Sequence, residues 1–201
     1  MNRRVVAATR NPAKGRELAE LLYPHGVEVL TLADFTVPTV EEDGDTFAAN
    51  AALKASVAAG HTGLLAVADD SGLEVEALGG EPGVRSARFG GEGLDDAARN
   101  ALLLQRLAGV PASRRQARFV SAVALGRPGQ SAVVFTGAAA GVIAQEPLGG
   151  NGFGYDPLFY YPPLGLTFGQ IPAAVKHSVS HRGRAMALAL PRLLELLAEG
   201  D

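Results

Sequence analysis

The sequence predicts an α/β fold with a mixed sheet. Strand-like apolar runs alternate along the chain with segments that have helical periodicity, as expected for strands connected through helices. The two longest apolar runs, at 117–125 and 132–143, are joined by a short segment rich in glycine and proline. This arrangement predicts an antiparallel hairpin, so the sheet should contain both parallel and antiparallel strand pairs.

The remaining elements follow in chain order. Further strands are predicted at 4–9, 27–32, 64–68 and 73–78. Helices are predicted at 13–23, 46–59, 94–108 and 182–199. Asn11 can cap the first helix with Pro12 in its first turn, and Asp45 or Thr46 can cap the second.

Segments rich in glycine and proline lie at 79–93 and 146–165, where we expect loops that cross a cleft. The chain has no recognisable linker and no internal repeat. We therefore expect residues 1–201 to form a single domain.

Charge and residue usage exclude several classes of protein. A net charge of −3 and a pI near 5.8 give no basic field for nucleic acid, although a local cluster of cations can still bind one nucleotide. The absence of cysteine excludes disulfides and thiolate metal sites. The apolar run at 5–8 is too short for a signal peptide, and no stretch reaches the roughly 18 uncharged apolar residues of a membrane span. We expect a cytoplasmic protein with no nucleic-acid or membrane partner.

Lysine is rare in this chain, and each lysine lies within a polar motif. Only Lys14, Lys54 and Lys176 accompany fifteen arginines. Because arginine can replace lysine wherever a solvated cation suffices, the retained lysines indicate positions that need a compact ammonium. Chance placement is the alternative.

The first polar motif joins a strand to a helix and predicts a phosphate-binding loop. The unpaired N–H groups and the dipole of a helix N-terminus favour an anion, and Lys14 adds a full charge. The glycines of a P-loop are missing. An ordinary capped helix with a solvated lysine is the alternative. The candidate residues of this loop are Thr9, Arg10, Asn11, Pro12, Ala13 and Lys14.

Acidic residues precede the second predicted helix, at Glu41, Glu42, Asp43 and Asp45. Such residues often only complement the helix dipole. One or two carboxylates, completed by waters and substrate phosphates, are also the ligands that Mg²⁺ prefers. In the helix that follows, Asn50 and Lys54 are four residues apart and share one face.

Two adjacent carboxylates, Asp69 and Asp70, follow the apolar run at 64–68. Ligands bind at strand ends in α/β sheets, and successive strand residues point to opposite faces. One carboxylate can therefore hold a metal or the structure while the other activates a water molecule. A turn at Asp70-Ser71-Gly72 that only ends the strand is the alternative.

A glycine-rich turn carries two aromatic residues, Phe153 and Tyr155, and precedes Lys176 and a His181-Arg182 pair. Glycines let a backbone come close to a ligand, and an aromatic ring offers a face for a base. His181 and Arg182 should begin the last helix, with Ser180 as its cap. The dinucleotide fingerprint G-x-G-x-x-G is not satisfied here.

Taken in order, these motifs resemble the inosine triphosphate pyrophosphatase family, which hydrolyses noncanonical purine nucleoside triphosphates. The resemblance covers nearly the whole chain. It depends on Thr9-x-Asn11-x-x-Lys14, Glu41-Glu42, Asn50-x-x-x-Lys54-Ala55, Ala68 to Leu73, Pro82-Gly83, Ser86-Ala87-Arg88, Phe153 to Pro157 and Ser180 to Gly183.

The resemblance implies a long twisted mixed β-sheet flanked by helices, with two lobes around a central active-site cleft, and a homodimer. It also implies hydrolysis of ITP, dITP and XTP to the monophosphate and pyrophosphate with Mg²⁺. Asp70 matches the catalytic, metal-linked acid, and Glu41 and Glu42 match further metal ligands. The residues that match substrate contacts are the 9–14 loop, Lys54, Ser71, Phe153, Gly154, Tyr155, Asp156, Lys176, His181 and Arg182.

The chain departs from the family pattern at two places. Arg10 stands where many relatives have a small residue, and the 173–175 stretch lacks an acidic residue often found there. Three alternatives stay open at this stage. The protein could bind purine nucleotides without turnover, it could hydrolyse other modified triphosphates on a related fold, or Asp70 could be chiefly a metal ligand.

Overall fold

The computed structural model describes residues 3–199. Its helices are α1 (Pro12–Leu22), α2 (Phe47–Thr62), α3 (Asp96–Arg106), α4 (Ala173–Val179) and α5 (His181–Glu199). Its strands are β1 (Arg4–Ala7), β2 (Glu28–Thr31), β3 (Ala66–Val75), β4 (Gln116–Gly126), β5 (Val133–Ile143), β6 (Phe159–Tyr161) and β7 (Leu166–Thr167). Within these residues, no helix is long and apolar enough to cross a membrane.

The strands form one open sheet of seven strands in the order β2-β1-β3-β4-β5-β6-β7. Strand β1 runs parallel to β2 and β3, whereas β6 runs antiparallel to both β5 and β7. Strands β4 and β5 are neighbours in the sheet, as expected for the predicted hairpin. The prediction of an α/β fold with a mixed sheet flanked by helices is confirmed.

Strand β3 differs from its prediction. Two strands at 64–68 and 73–78 were expected, with the carboxylate pair at the end of the first, but β3 is continuous from Ala66 to Val75. The side chains of Leu73 and Val75 are fully buried, and the Leu73 N–H donates to Ser86 Oγ at 2.8 Å. Burial and this tertiary hydrogen bond extend the strand, so Asp69 and Asp70 lie inside it.

Three short elements, β6, β7 and α4, were not predicted. Strands β6 and β7 have only three and two residues, which is too few for a period-two pattern to be visible. The segment 146–165, predicted as a loop, therefore contains β6, and a 3₁₀ turn at Gly83–Arg88 lies in the other predicted loop.

The helix starts follow local capping chemistry. The Asn11 side chain accepts hydrogen bonds from the N–H groups of Ala13 and Lys14, and Pro12 is the first residue of α1. The Thr46 hydroxyl, one of two predicted caps, accepts from the Ala49 N–H at the start of α2. Helix α5 begins at His181 as predicted, while Ser180 is the C-cap of α4.

The chain divides into two compact units. Among described residues, the first unit comprises 3–70, 121–137 and 182–199, and the second comprises 71–120 and 138–181. The core of the first unit includes Val5, Leu22, Val67, Leu125 and Leu193. The core of the second includes Leu73, Leu103, Leu158, Phe159 and Phe168.

Helix α2 packs closely in the first unit because its inner face is built from small residues. Ala51, Ala55 and Ala59 are fully buried. A Cβ atom at Gly126, the last residue of β4, would lie 2.5 Å from the Ala55 carbonyl oxygen, so only glycine fits there. This close approach of α2 to β4 sets how near to the sheet Asn50 and Lys54 of α2 lie.

Candidate active site

The loop between β1 and α1 presents Lys14 at a helix N-terminus, as predicted. Asn11 caps α1, and its own N–H donates to Thr9 Oγ1 at 3.1 Å, which fixes the turn before the helix. Lys14 Nζ lies 2.9 Å from Asp69 Oδ2. The exposed Arg10 guanidinium donates to the Val37 carbonyl at 3.0 Å, so in the first unit Arg10 connects this loop to the segment that precedes α2.

Asp69 lies at the centre of a network of hydrogen bonds and ion pairs in the first unit. Its Oδ2 accepts from Arg182 Nη2 at 3.0 Å, and its Oδ1 accepts from the Ser121 hydroxyl at 2.5 Å. Burial would raise the pKa of Asp69, but the charges of Arg182 and Lys14 outweigh it and hold this pKa well below its usual value. Asp69 is therefore a fixed anion that orients Lys14 and Arg182.

Arg182 is nearly fully buried and holds two carboxylates of the first unit. Its second guanidinium nitrogen donates to Glu17 of α1. The Arg182 side chain thereby connects the start of α5 to α1 and to β3.

Asp70 lies in a second network, formed with α2 and the acidic loop. Lys54 Nζ lies 3.1 Å from Asp70 Oδ1, 3.2 Å from Glu42 Oε1 and 2.9 Å from the Asp69 carbonyl oxygen. Asn50 Nδ2 donates to Asp70 Oδ2 at 3.1 Å, and Asn50 Oδ1 accepts from the Gly44 N–H at 2.9 Å. Asn50 thus holds the acidic loop beside Asp70.

The environment makes the Asp70 carboxylate more basic than an ordinary aspartate. Burial, aided by the neighbouring Glu42 charge, raises the pKa of Asp70 to about 6 against the opposing effects of Lys54 and Lys14. Burial would raise the pKa of Glu42, but the Lys54 ammonium and a hydrogen bond with Asp70 together lower it below its usual value. A carboxylate with a pKa of about 6 is suited to accept a proton near neutral pH.

The predicted base-binding residues of the second unit converge on the turn at 153–156. Asp156 Oδ2 accepts from the Phe153 N–H at 2.8 Å and from Lys176 Nζ at 2.6 Å. Lys176 Nζ also lies 5.1 Å from the centroid of the Phe153 ring. A Cβ atom at Gly152 would lie 2.0 Å from Asp156 Oδ2, so glycine is required for this closed turn.

Two further predicted residues are fixed within the core of the second unit. The His181 ring stacks on Phe119 with centroids 4.6 Å apart and an interplanar angle of 12°. Tyr155 is buried, and its hydroxyl donates to the Ser86 carbonyl at 2.9 Å. Tyr155 therefore anchors the turn, whereas the Phe153 side chain is partly exposed.

The sequence model of the Ham1 family matches residues 5–191. The chain belongs to the Ham1 family.

Relatives cover almost the full length of this Ham1-family chain. It is 51% identical to the dITP/XTP pyrophosphatase of Desulforamulus reducens, over 96% of each chain. It is 50% identical to the dITP/XTP pyrophosphatase of Thermus thermophilus, over 98% of this chain and 93% of the relative. The structure of a HAM1 protein from Coxiella burnetii superposes with a TM-score of 0.86 at 39% identity, covering 96% of this chain and 99% of that one. These similarities confirm the family resemblance that the motifs indicated.

In this Ham1-family chain the side chains around Lys54 include the oxygen ligands that a magnesium ion prefers. Glu42 and Asp70 bring two carboxylates to one ammonium, and Mg²⁺ prefers one or two carboxylates plus waters and substrate phosphates. Within residues 3–199, no group of three acidic or histidine side chains is placed to hold a metal ion. Lys54 connects Glu42 with Asp70, whereas within the described residues the exposed Glu41 side chain makes no hydrogen bond or ion pair.

Sequence reasoning missed several residues of these networks. Glu17, Ser121 and Asp69 contact predicted site residues without having been assigned to the site. Only Asp69 carried a signal, its position next to Asp70. Glu17 and Ser121 are ordinary residues of a helix and a strand, and no spacing connects Glu17 with Arg182. Ser71, a predicted substrate contact, follows Asp70 in β3 and is partly exposed.

Proposed function

We propose that this Ham1-family protein hydrolyses the noncanonical purine nucleoside triphosphates ITP, dITP and XTP to the monophosphate and pyrophosphate. The observation that carries the proposal is the position of the Asp70 carboxylate, which is held by Asn50 and Lys54 at 3.1 Å each, beside Glu42. The names of relatives that are about half identical over nearly the whole chain support the same reaction.

Asp70 acts as the general base. A water molecule attacks the α-phosphorus, its proton passes to the Asp70 carboxylate, and the bond from the α-phosphorus to the bridging oxygen breaks. Pyrophosphate leaves with the bonding electron pair. A positioned base of this kind contributes roughly 10²–10⁴-fold to the rate. Lys54 and Asn50, each about 3 Å from an Asp70 oxygen, hold the carboxylate in position.

The loop before α1 binds the triphosphate. The N-terminus of α1 favours an anion, and Lys14 in the first turn adds an ammonium. Asp69 holds this ammonium in place through the 2.9 Å ion pair. Because Asp69 keeps its charge, Lys14 is oriented before the substrate arrives.

Magnesium is the proposed cofactor, held by Glu42 and Asp70. When bound, it neutralises charge on the phosphates of the substrate. Lys54, which lies between the two carboxylates, counters their mutual repulsion before the metal binds.

The turn at 153–156 recognises the base. The Phe153 ring offers a stacking surface, and Lys176 is fixed by Asp156 at the same turn. Lys176, His181 and backbone N–H groups are donors, which pair with the 6-oxo group of inosine and xanthine but not with the 6-amino group of adenine. Selectivity for 6-oxo purines follows from this difference.

A nucleotide-binding regulator without turnover is not favoured. The carboxylates of Glu42 and Asp70 would repel an anionic triphosphate. Their presence beside the phosphates is explained if they bind a metal ion and if Asp70 accepts a proton. The identity to pyrophosphatases points in the same direction.

We also propose that the protein works as a homodimer in the cytoplasm, where the nucleotide pool is found. The exposed apolar side chains of Tyr160, Leu164 and Leu166, which cluster in sequence at β6 and β7, support a contact between copies. Sedimentation equilibrium across a range of protein concentrations tests the dimer.

The experiment that tests the function measures pyrophosphate release from ITP, dITP, XTP, GTP and ATP, with Mg²⁺ and with EDTA. The expected result is strong turnover of the first three nucleotides, weak turnover of ATP, and loss of turnover with EDTA. Release of orthophosphate in place of pyrophosphate, or equal specificity constants for ITP and ATP, would overturn the proposal.

A further inference from the structure

Helix α3 holds the base-recognition turn through the backbone of one residue, Gly154. Asp96 Oδ2, in the first turn of α3, accepts from the Gly154 N–H at 2.6 Å. Asn100 Nδ2, one helical turn later, donates to the Gly154 carbonyl at 3.0 Å. Both peptide groups that flank Gly154 are therefore fixed by side chains of one face of α3.

The contact of α3 with Gly154 involves only backbone atoms of the glycine, whose conformation is unusual. Gly154 has a φ of +62°, the left-handed region that favours glycine. A Cβ atom there would meet nothing within 4 Å, so glycine is needed for the conformation and not for space. In this conformation the N–H and the carbonyl of Gly154 both form hydrogen bonds with side chains of α3.

Fixing the Gly154 carbonyl also fixes the next backbone donor. The peptide between Gly154 and Tyr155 is trans, so the Tyr155 N–H points opposite to the carbonyl that Asn100 holds. Among residues 3–199, no acceptor is bonded to the Tyr155 backbone N–H. This N–H is a donor held in one direction, and it lies two residues after Phe153 in the chain.

The Asp96 and Asn100 side chains differ in burial. Substitutions at the more exposed Asp96 can therefore test a positioning role with less effect on the core. Asn100 is buried, with 5% of its surface exposed, whereas 54% of the Asp96 side chain is exposed. An exposed carboxylate that accepts a hydrogen bond from a turn can be removed with little effect on the core.

We infer that Asp96 and Asn100 are positioning residues for base selectivity, which hold the Gly154 peptides so that the Tyr155 N–H is aimed at the 6-oxo group of the purine. The inference rests on the proposed function, because it needs the turn at 153–156 to recognise the base. Neither side chain touches the reacting phosphates in this scheme. Their loss therefore weakens discrimination between bases and leaves the chemistry of Asp70 in place.

The test compares ITP and ATP turnover in the parent protein and in Asp96→Ala, Asp96→Asn and Asn100→Ala. Gln105→Ala, on an exposed part of α3, is the matched control. We expect the ratio of kcat/KM for ITP over ATP to fall roughly tenfold in Asp96→Ala and Asn100→Ala, as for one misplaced donor. The loss should appear mainly in KM for ITP, with kcat within about threefold of the parent.

Asp96→Asn supplies the rescue arm, because its amide oxygen can still accept from the Gly154 N–H. Its selectivity should stay within about twofold of the parent. A loss equal to that of Asp96→Ala would overturn the hydrogen-bond assignment. If Asn100→Ala does not fold, the Asp96 pair decides the matter.

The outcomes separate this inference from the proposed function. A parent that selects ITP, together with Asp96→Ala and Asn100→Ala variants that keep the full selectivity, would overturn the inference while the function stands. A parent that does not distinguish ITP from ATP would overturn the proposed function, and the inference with it.

Discussion

Asp69 and Asp70 are adjacent in β3, yet the protein shifts their pKa values in opposite directions. Asp69 is bonded to Lys14, Arg182 and Ser121, and its pKa is lowered. Asp70 is bonded to Lys54 and Asn50, and its pKa is raised to about 6. Because neighbouring strand residues point to opposite faces, one strand supplies both a fixed anion, Asp69, and the carboxylate proposed as the base, Asp70.

The first prediction concerns turnover. Asp70→Asn should keep the fold and bind ITP with similar affinity, while kcat falls by about two to four orders of magnitude, as expected for a lost base. Steady-state kinetics and equilibrium binding of ITP measure the two quantities. Asp43→Asn, which changes an exposed carboxylate of the acidic loop, is the control and should keep the parent rate. Turnover within a few-fold of the parent would remove Asp70 from the chemistry.

The raised pKa of Asp70 also predicts a pH-dependent effect on stability. The folded protein keeps the Asp70 proton up to about pH 6, whereas the unfolded chain releases it near 3.8. The contribution of Asp70 to the free energy of unfolding therefore falls as the pH rises between these values. The substituted side chain in Asp70→Asn does not titrate, so this variant does not lose stability in the same way. Its free energy of unfolding minus that of the parent should therefore increase from pH 4 to pH 6 and stay constant above pH 6.

Urea unfolding of both proteins in EDTA, at pH 4, 5, 6 and 7, measures this difference. EDTA is required because a bound cation would hold Asp70 ionised. A stability difference that stays constant over this range would show that the pKa of Asp70 is not raised in the folded protein.

Asp69 should behave in the opposite way. Its folded pKa is lowered, so its carboxylate stabilises the protein at pH values above the ordinary value of 3.8. This contribution is lost as the pH falls through the lower, folded pKa. Asp69→Asn should therefore lower the free energy of unfolding at pH 7 by about 3 kcal/mol, as for a buried ion pair that loses one partner.

The penalty of Asp69→Asn should begin to shrink below about pH 4, because the unfolded parent then takes up a proton that the folded parent still excludes. Thermal unfolding at pH 7 and pH 3 measures both values, with the exposed Asp45→Asn as control. A penalty that is as large at pH 3 as at pH 7 would contradict the lowered pKa of Asp69 and its ionic role.

Lys14 should act on the phosphates. Lys14→Ala should raise KM for ITP, XTP and dITP by a similar factor, of roughly tenfold or more, because the first turn of α1 is proposed to bind the triphosphate that these nucleotides share. Arg16→Ala, two residues further along α1 and exposed, is the control. A changed ratio of ITP to ATP turnover in Lys14→Ala would show that this lysine contributes to recognition of the purine base instead.

Local chemistry made much of this protein predictable from its sequence. The caps of α1 and α2 and the start of α5 depend on side chains next to the helix, and they were predicted within one residue. Lys54 and Asn50 were placed on one helical face by their spacing, and the structure brings both to Asp70.

Contacts between distant parts of the chain were not predictable. The Glu17–Arg182 pair joins residues 165 positions apart, and no local pattern marks it. Strand β3 continues past Asp70 because Ser86 holds the backbone of Leu73, a tertiary hydrogen bond that outweighs the turn propensity of Ser71-Gly72. Helix α4 has only seven residues, too few for its periodicity to be recognised beforehand.

The last prediction concerns the choice between 6-oxo and 6-amino purines. His181 is held by its stacking on Phe119, so its ring nitrogens are presented in one orientation. In His181→Phe the aromatic contact is retained and the ring donors are lost. One mismatched buried donor costs about 1–3 kcal/mol, so the ratio of kcat/KM for ITP over ATP should fall by roughly one to two orders of magnitude. His61→Phe, the same change at an exposed position of α2, should leave the ratio unchanged. A His181→Phe protein that keeps the parent ratio would show that donors elsewhere, such as Lys176 or the backbone of the 153–156 turn, make the choice.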